Sequence, residues 1–331
     1  MERMPHFWAV ETPRKRFATP YGWGTGENLL WLKNSLFGPS FKYQELTEFI
    51  DQEIQMNRIE PQVRIAFIGD VLPMHRKIFR VGDGLKSFLK DVDYLVLNFE
   101  GVISTDRRVF NAMRHDESIL GLLGEIFPAE QTVVGFTNNH AADCGWNEYQ
   151  RCYNLLRNSG YNVCGRRDQP SIFLQDRVQI TACSFWSNQP GEFISRYEEA
   201  REGSNKDALF KILYPHWGYE MQLYPDPRQI EFGKELLTKW DMILGHHSHC
   251  PQPVIQDKGK LLAYSLGDFC FATRFDRFHH GIIVKAEIGP NSQGKWQAGK
   301  VEWKFIKQNS IVGGAFLIDV SSKCRFFSNL K

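Results

Sequence analysis

The sequence predicts an α/β fold, and three observations carry that prediction. Short apolar runs suited to buried strands alternate with segments whose apolar residues recur at helical spacing. Five of those runs end at once in Asp, Glu, Asn or His. From Lys260 onward the pattern changes to successive strands with hairpin-like links.

The elements follow in order. Val63 to Ile68 (VRIAFI) reads as a strand ending in Gly69 and Asp70, and Lys77 to Leu89 reads as a helix. Tyr94 to Leu97 (YLVL) ends in Asn98 and Glu100, and Thr132 to Thr137 (TVVGFT) ends in Asn138, Asn139 and His140. Asn147 to Ser159 (NEYQRCYNLLRNS) has apolar residues at helical spacing, with Gly160 as its stop. Val163 and Ile172 to Phe185 supply further strands. Lys211 to Tyr214 (KILY) leads through Pro215 into His216, Trp217, Gly218, Tyr219 and Glu220. Pro227 to Trp240 makes another amphipathic helix before the strand Met242 to Leu244. The runs LLAYSL, GIIVKAEI, KVEWKFI and AFLIDV close the chain as strands, with Gly289 to Gly294 as one link.

The segment Asp241 to Pro253 (DMILGHHSHCPQP) holds three of the ten histidines directly after an apolar strand. In an extended or tight-turn backbone alternate side chains share a face, so His247 and His249 are expected to point one way and Ser248 another. In open α/β sheets ligands bind beyond the carboxyl ends of the strands, where all five polar groups would converge. Taken singly, Asp70 or Asn139 reads equally well as a helix cap or turn residue. It is the set that points to a site. Asp70, Glu100 and Asn139 offer oxygens and His216, His247 and His249 nitrogens, a mixture that suits zinc, manganese or iron rather than calcium. The donors suffice for one or two such ions.

The motifs GD at Asp70, NFEG around Glu100, NNHAADCG from Asn138 to Gly145, HWGYE from His216, GHHSHCPQP from Gly245 and YSLGDF from Tyr264 resemble those of the bacterial capsule synthesis family. This is the CapA or PgsA type, named for poly-γ-glutamate capsules and similar to the calcineurin-like metallophosphoesterases. The resemblance runs from about Val63 to about Lys307. It implies two mixed sheets packed face to face with helices outside, a four-layer αββα sandwich. It also implies Glu100 as a carboxylate shared by two metals, with Asn139, His216 and His247 serving one and Asp70 and His249 the other. Two such ions would clamp a phosphoryl group and lower the pKa of a bridging water. His140 would stay off the metals to protonate the leaving oxygen, with Asp143 orienting its imidazole.

The chain departs from the phosphoesterase pattern at Leu72, where those enzymes carry a histidine two residues after the first aspartate. The expectation is therefore one tightly held ion and a weaker second, with His75 as the nearest substitute ligand. Asp268 stands where the capsule family more usually has asparagine. Two readings stand for Asn98, an outer partner orienting Glu100 or a turn cap, and two for Glu220, an acceptor from a ligand imidazole or a solvent-facing group. Trp217, Tyr219 and Tyr264 read as cleft walls or core, and His279 and His280 as structural.

At 331 residues, 42% of them hydrophobic, the chain can bury a large core as one or two domains. A net charge of +2 with Lys and Arg spread along the sequence argues against nucleic acid as a partner and against a polybasic membrane anchor. Seven cysteines without a CxxC pair read as reduced, buried thiols, and Cys250 beside His249 is not called for as a ligand. The opening MERMPHFWAVETPRKRFATPYGWG has no apolar signal region, and no window approaches the roughly 18 apolar residues of a membrane span. The expectation is a cytoplasmic chain, unlike the many relatives that carry an N-terminal anchor. Residues 1–60 read as an extension with one helix, Tyr43 to Met56, packed on a domain of residues 61–331.

Three functions follow: a metal-dependent hydrolase of phosphoesterase type acting on an anionic small molecule or polymer, a capsule-polymer protein acting on a γ-glutamyl amide, or a degenerate metal-binding module. The presence of His140 and Asp143 counts against the third. The missing anchor counts against the second.

Overall fold

In the computed structural model, which describes residues 25–107, 109, 112–202 and 207–327, alternate residues of the strand Val63–Val71 feed two different cores. Val63, Ile65 and Phe67 enter one apolar cluster, and Ala66 and Ile68 enter another. That follows from the two-residue period of a strand buried on both faces. The neighbouring strands repeat it, with Val96 and Val133 on the first side and Leu95, Leu97 and Val134 on the second. The second cluster is completed by Leu85, Phe88, Leu123, Tyr149, Tyr153 and Leu156 from the helices Asp83–Leu89, Ile119–Gly124 and Gly145–Asn158.

The first cluster is completed by a second sheet. Ile212, Tyr214, Met242, Leu244, Leu261 and Ala263 join it, whereas the intervening Leu213, Ile243 and Leu262 join a third cluster with Ile230 and Leu236 of the helix Pro227–Leu236 and with Trp240. The two sheets thus share one core between them. Apolar clusters lie on both faces of each.

The larger sheet runs Phe79–Val81, Phe316–Ser321, Trp296–Ser310, His280–Pro290, Val63–Val71, Tyr94–Phe99, Thr132–Gly135, Asn162–Cys164, with Glu53–Gln55 beside Trp296–Ser310 and Asp268–Cys270 beside Val63–Val71. Its Val63 to Cys164 portion is parallel and its C-terminal portion antiparallel. The smaller sheet runs Val254–Asp257, Lys260–Ala263, Met242–Leu244, Phe210–His216, Val178–Ser184, Ser171–Leu174, parallel in its middle and antiparallel at its edges. Parallel strands bring their carboxyl ends to one side. This mixed α/β architecture is the expected class.

Two elements differ from the sequence reading. Within Lys77 to Leu89 only Asp83–Leu89 is helical, because Phe79–Val81 pairs with Phe316–Ser321 as a strand. Tyr43 to Met56 is not a helix. It forms a short 3-10 turn at Gln44–Leu46 and an edge strand, Glu53–Gln55, antiparallel to Trp296–Ser310. Phe49, Ile50, Ile54 and Met56 pack against the core between the sheets, and Trp303 donates its ring N–H to the carbonyls of Ile50 and Asp51. Pairing with an open sheet edge outweighs helical spacing here. The helix of this region is Thr25–Phe37 instead, tied down by Asn34 donating to the Met221 carbonyl at 3.0 Å; residues 1–24 lie outside the described ones. Among the described residues no helix is long and apolar enough to cross a membrane, and all seven cysteines are unpaired thiols.

Gly69 shows how closely the strands before the site are set. A Cβ there would lie 1.8 Å from the Gly267 carbonyl oxygen. Gly69→Ala must push the Asp268–Cys270 strand away from Asp70, and we expect it to cost about 2–3 kcal/mol. A urea midpoint unchanged from wild type would show that this approach is not constraining.

Candidate metal centre

Asp70 ends the strand Val63–Val71, Glu100 follows Tyr94–Phe99, Asn139 follows Thr132–Gly135, and His216 ends Phe210–His216. His247 and His249 follow Met242–Leu244. All six side chains are buried, and the carboxyl ends of strands from both sheets supply them. Tyr214 pins the sheets together just below, its hydroxyl donating to the Ile68 carbonyl across the interface.

The ligand atoms fall into overlapping groups. Donor atoms of Glu100, His216 and His247 lie within 4.8 Å of one another, as do those of Asp70, His249 and Asp268 and those of Asp70, His216 and His246. Asn139 joins the first group, its Oδ1 2.8 Å from His216 Nε2. His249 Nε2 is 3.8 Å from Glu100 Oε1 and its Nδ1 3.8 Å from Asp70 Oδ2. Asp70 and His216 each belong to two groups, and Glu100 of the first group is reached by His249 of another.

The backbone is shaped around these atoms. His247 and His249 both adopt positive φ, 98° and 53°. Left-handed backbone is unfavourable for a non-glycine residue and persists where the surroundings impose it, commonly at functional sites. This is not the simple alternation expected from an extended turn, yet both rings reach the site, 6.2 Å apart. Asn138 ties two loops together: its amide donates to the Phe99 carbonyl at 2.7 Å, and its Oδ1 accepts from the His140 amide at 3.1 Å.

Outer partners fix the donors. Asn98 donates to Asp70 Oδ1 at 2.7 Å, so its role is to hold Asp70 rather than Glu100. The His247 amide donates to Asp70 Oδ2 at 3.1 Å. Between His216 Nδ1 and His246 Nδ1, 2.8 Å apart, one ring donates and the other accepts. At the rim, His140 Nδ1 lies 2.6 Å from Asp143 Oδ2, which also accepts from the Met113 amide at 2.8 Å. His140 keeps 13% side-chain exposure, and the Asn188 side-chain nitrogen lies 3.3 Å from each of its ring nitrogens.

Burial dominates the electrostatics. It raises Asp70 to about 7 and lifts Glu100 well above the usual carboxylate range, with the neighbouring Asp70 adding to the effect on Glu100. Burial holds His216 and His247 neutral, well below the usual imidazole range, and takes His246 down to about 3. Burial works against a charged His249 too, but Asp268 and Glu100 outweigh it and hold the ring above its ordinary value.

These residues fit a divalent ion. Both Glu100 oxygens and His247 Nδ1 are buried without a hydrogen-bond partner among the described residues, and such groups are normally satisfied. Neutral imidazoles with carboxylate and amide oxygens form a donor set for a transition metal.

Several other residues have settled places. His75 is exposed on a left-handed turn and outside the ligand groups, so it does not replace the ligand missing at Leu72. Glu220 is partly exposed and accepts from the Trp31 ring N–H at 2.7 Å rather than from a ligand imidazole. Trp217 and Tyr264 belong to the core under the Pro227–Leu236 helix, with Trp217 donating to the Tyr264 carbonyl at 2.8 Å. Sequence reasoning missed His246, whose position beside two candidate ligands gave no hint of which way each ring turns. It left Asp268 without a role, and the signal was the parallel pairing of its strand with that of Asp70.

Comparison with known proteins agrees with the motifs. The family described as Bacterial capsule synthesis protein PGA_cap matches residues 175–273. The PGA biosynthesis protein CapA of Bacillus subtilis (strain 168) is 24% identical over 277 residues, covering 72% of this chain and 70% of its own length. The Capsule biosynthesis protein CapA of Bacillus anthracis is 25% identical over 234 residues, covering 62% of this chain and 56% of its own. Two solved structures align with this chain at low TM-scores. One is a hypothetical protein from Thermus thermophilus (0.42, 14% identity, 74% of this chain and 99% of its own) and the other Vacuolar Protein Sorting 29 from Cryptosporidium parvum (0.34, 10%, 79% and 98%). In its motifs and these sequence matches, the chain is similar to the bacterial capsule synthesis proteins, the PGA_cap family whose match falls on residues 175–273.

Proposed function

We propose that the chain is a metal-dependent hydrolase with phosphoesterase-type chemistry, built as a four-layer αββα sandwich of metallophosphoesterase kind. The three apolar clusters, one between the sheets and one on the outer face of each, support the layering. The observation that carries the function is Glu100, whose two oxygens are buried and unpartnered between two sets of donors, with a His–Asp pair at the rim. An uncompensated buried carboxylate costs several kcal/mol, and a cation shared between the donor sets would offset that cost.

On this reading Glu100, Asn139, His216 and His247 hold one ion, and Asp70, Glu100 and His249 hold another more weakly. Zinc, manganese or iron bound there supplies Lewis acidity and an activated water. Asn98 and the His247 amide keep Asp70 aimed, and His246 fixes the ring of His216. Asp143 takes the Nδ1 side of His140, and Nε2, with the Asn188 side-chain nitrogen 3.3 Å away, is the atom that would give a proton to the departing group. The shallow, partly exposed position of His140 suits a group that meets substrate, and its pairing with Asp143 suits an acid rather than a ligand.

A second reading is favoured by the relatives, one of which is described as a PGA biosynthesis protein. With a γ-glutamyl amide the reacting atom would be carbon rather than phosphorus, and a metal held by the same residues would supply the same Lewis acidity. The leaving nitrogen must then be protonated, so the demand on His140 is greater.

Two predictions follow from these roles. His216→Ala and His247→Ala each remove a nitrogen donor and should weaken metal binding by more than the ten- to hundredfold typical of outer partners, whereas His140→Ala should leave it unchanged in calorimetry. Equal metal loss in His140→Ala would make His140 a ligand.

With manganese or zinc, the protein should hydrolyse activated phosphoesters. His140→Ala should lower that rate only moderately, about tenfold, and His247→Ala should abolish it. No turnover across a broad phosphoester panel, together with cleavage of γ-glutamyl peptides, would replace the phosphoesterase reading with the capsule-polymer one.

A further inference from the structure

The two nitrogens of His249 face different carboxylates. Nδ1 lies 2.9 Å from Asp268 Oδ1, a hydrogen-bond distance, with Asp70 Oδ2 at 3.8 Å on the same side, and Nε2 lies 3.8 Å from Glu100 Oε1. The separation of Nε2 from Glu100 is too long for a hydrogen bond. It matches two donors on one ion, each about 2.1 Å from it. We propose that Asp268 is a positioning residue of the metal centre, holding the proton of His249 on Nδ1 so that Nε2 is presented to the ion shared with Asp70 and Glu100.

The local backbone is built for this contact. Asp268 pairs in parallel with Asp70 on the adjacent strand, and the register shifts between Asp268 and Cys270, a bulge that re-aims the side chain. Gly267 before it has φ +64°, and a Cβ there would lie 2.8 Å from the His280 carbonyl oxygen and 2.8 Å from the Pro251 nitrogen. Only glycine lets this strand approach the histidine turn so closely. Asp268 is 1% exposed, and its Oδ1 is the oxygen that meets His249.

The alternative is that Asp268 is itself a ligand, sharing an ion with His249 Nδ1. That would leave Nε2 facing Glu100 with nothing between them. Assigning Nδ1–H to Asp268 gives both nitrogens a partner, and carboxylates so placed commonly fix the tautomer and raise the basicity of ligating histidines. The role also matters in this chain in particular. Leu72 is buried and offers no donor, so His249 is the only imidazole assigned to the second ion, and a charged acceptor behind it strengthens that bond.

The inference rests on the metal reading above, and the experiment separates the two. Wild type, Asp268→Asn and Asp268→Ala are titrated with zinc and with cadmium, and the imidazole nitrogens are followed by long-range ¹H–¹⁵N correlation in the ¹¹³Cd-loaded protein. The expected result is cadmium coupling to His249 Nε2 with the proton on Nδ1. Asp268→Asn, which keeps an acceptor without the charge, should weaken the second ion about ten- to hundredfold, and Asp268→Ala further, while the first ion stays as tight as in wild type. Cadmium coupling to His249 Nδ1 would overturn the proposal and make Asp268 a ligand. Two ions bound equally well by all three proteins would also overturn it while sparing the metal reading. A folded wild type that takes up neither metal would sink both.

Discussion

The structure turns on three carboxylates, Asp70, Glu100 and Asp268, buried together where the two sheets meet. Among the described residues their ion pairs are all with histidines, namely His246 and His249. Burial pushes each of the three toward its neutral form. Such an arrangement is stable only with protons or cations supplied to it, since like charges at this depth cannot all be ionised unaided. A divalent ion answers that need with the donors already in place.

The fold accepts other local costs around the same point. Two histidines sit in left-handed backbone, and Gly69 and Gly267 allow strands to approach to distances that no side chain tolerates. Asn98, Asn138 and His246 hold single atoms in place with hydrogen bonds between loops that are well separated in sequence. Each of these features aims a donor inward. The parallel strands explain why they can meet at all, because both sheets deliver their carboxyl ends to the same side.

Much of this is legible in the sequence, for a physical reason. A strand buried on both faces must be a continuous apolar run, so Val63–Val71, Tyr94–Phe99 and Met242–Leu244 stand out, and the polar residues that follow them fall at strand ends by construction. Tyr43 to Met56 misleads because apolar residues at helical spacing also serve an edge strand preceded by an irregular segment, and only its distant partner Trp296–Ser310 decides between them. His246 is hidden by adjacency: three histidines in four positions do not reveal which ring faces which neighbour until φ is known. Asp268 is hidden because its role depends on pairing with a strand far earlier in the chain.

The central claim is that this buried cluster of acids is completed by a cation, and elemental analysis of protein purified without chelators tests it most directly. The account predicts at least one zinc, manganese or iron per chain retained through gel filtration, and a clear fall in melting temperature when a chelator removes it, restored by adding the metal back. Folded protein that carries no transition metal, and whose melting temperature is the same with chelator as with any of these ions, would contradict it.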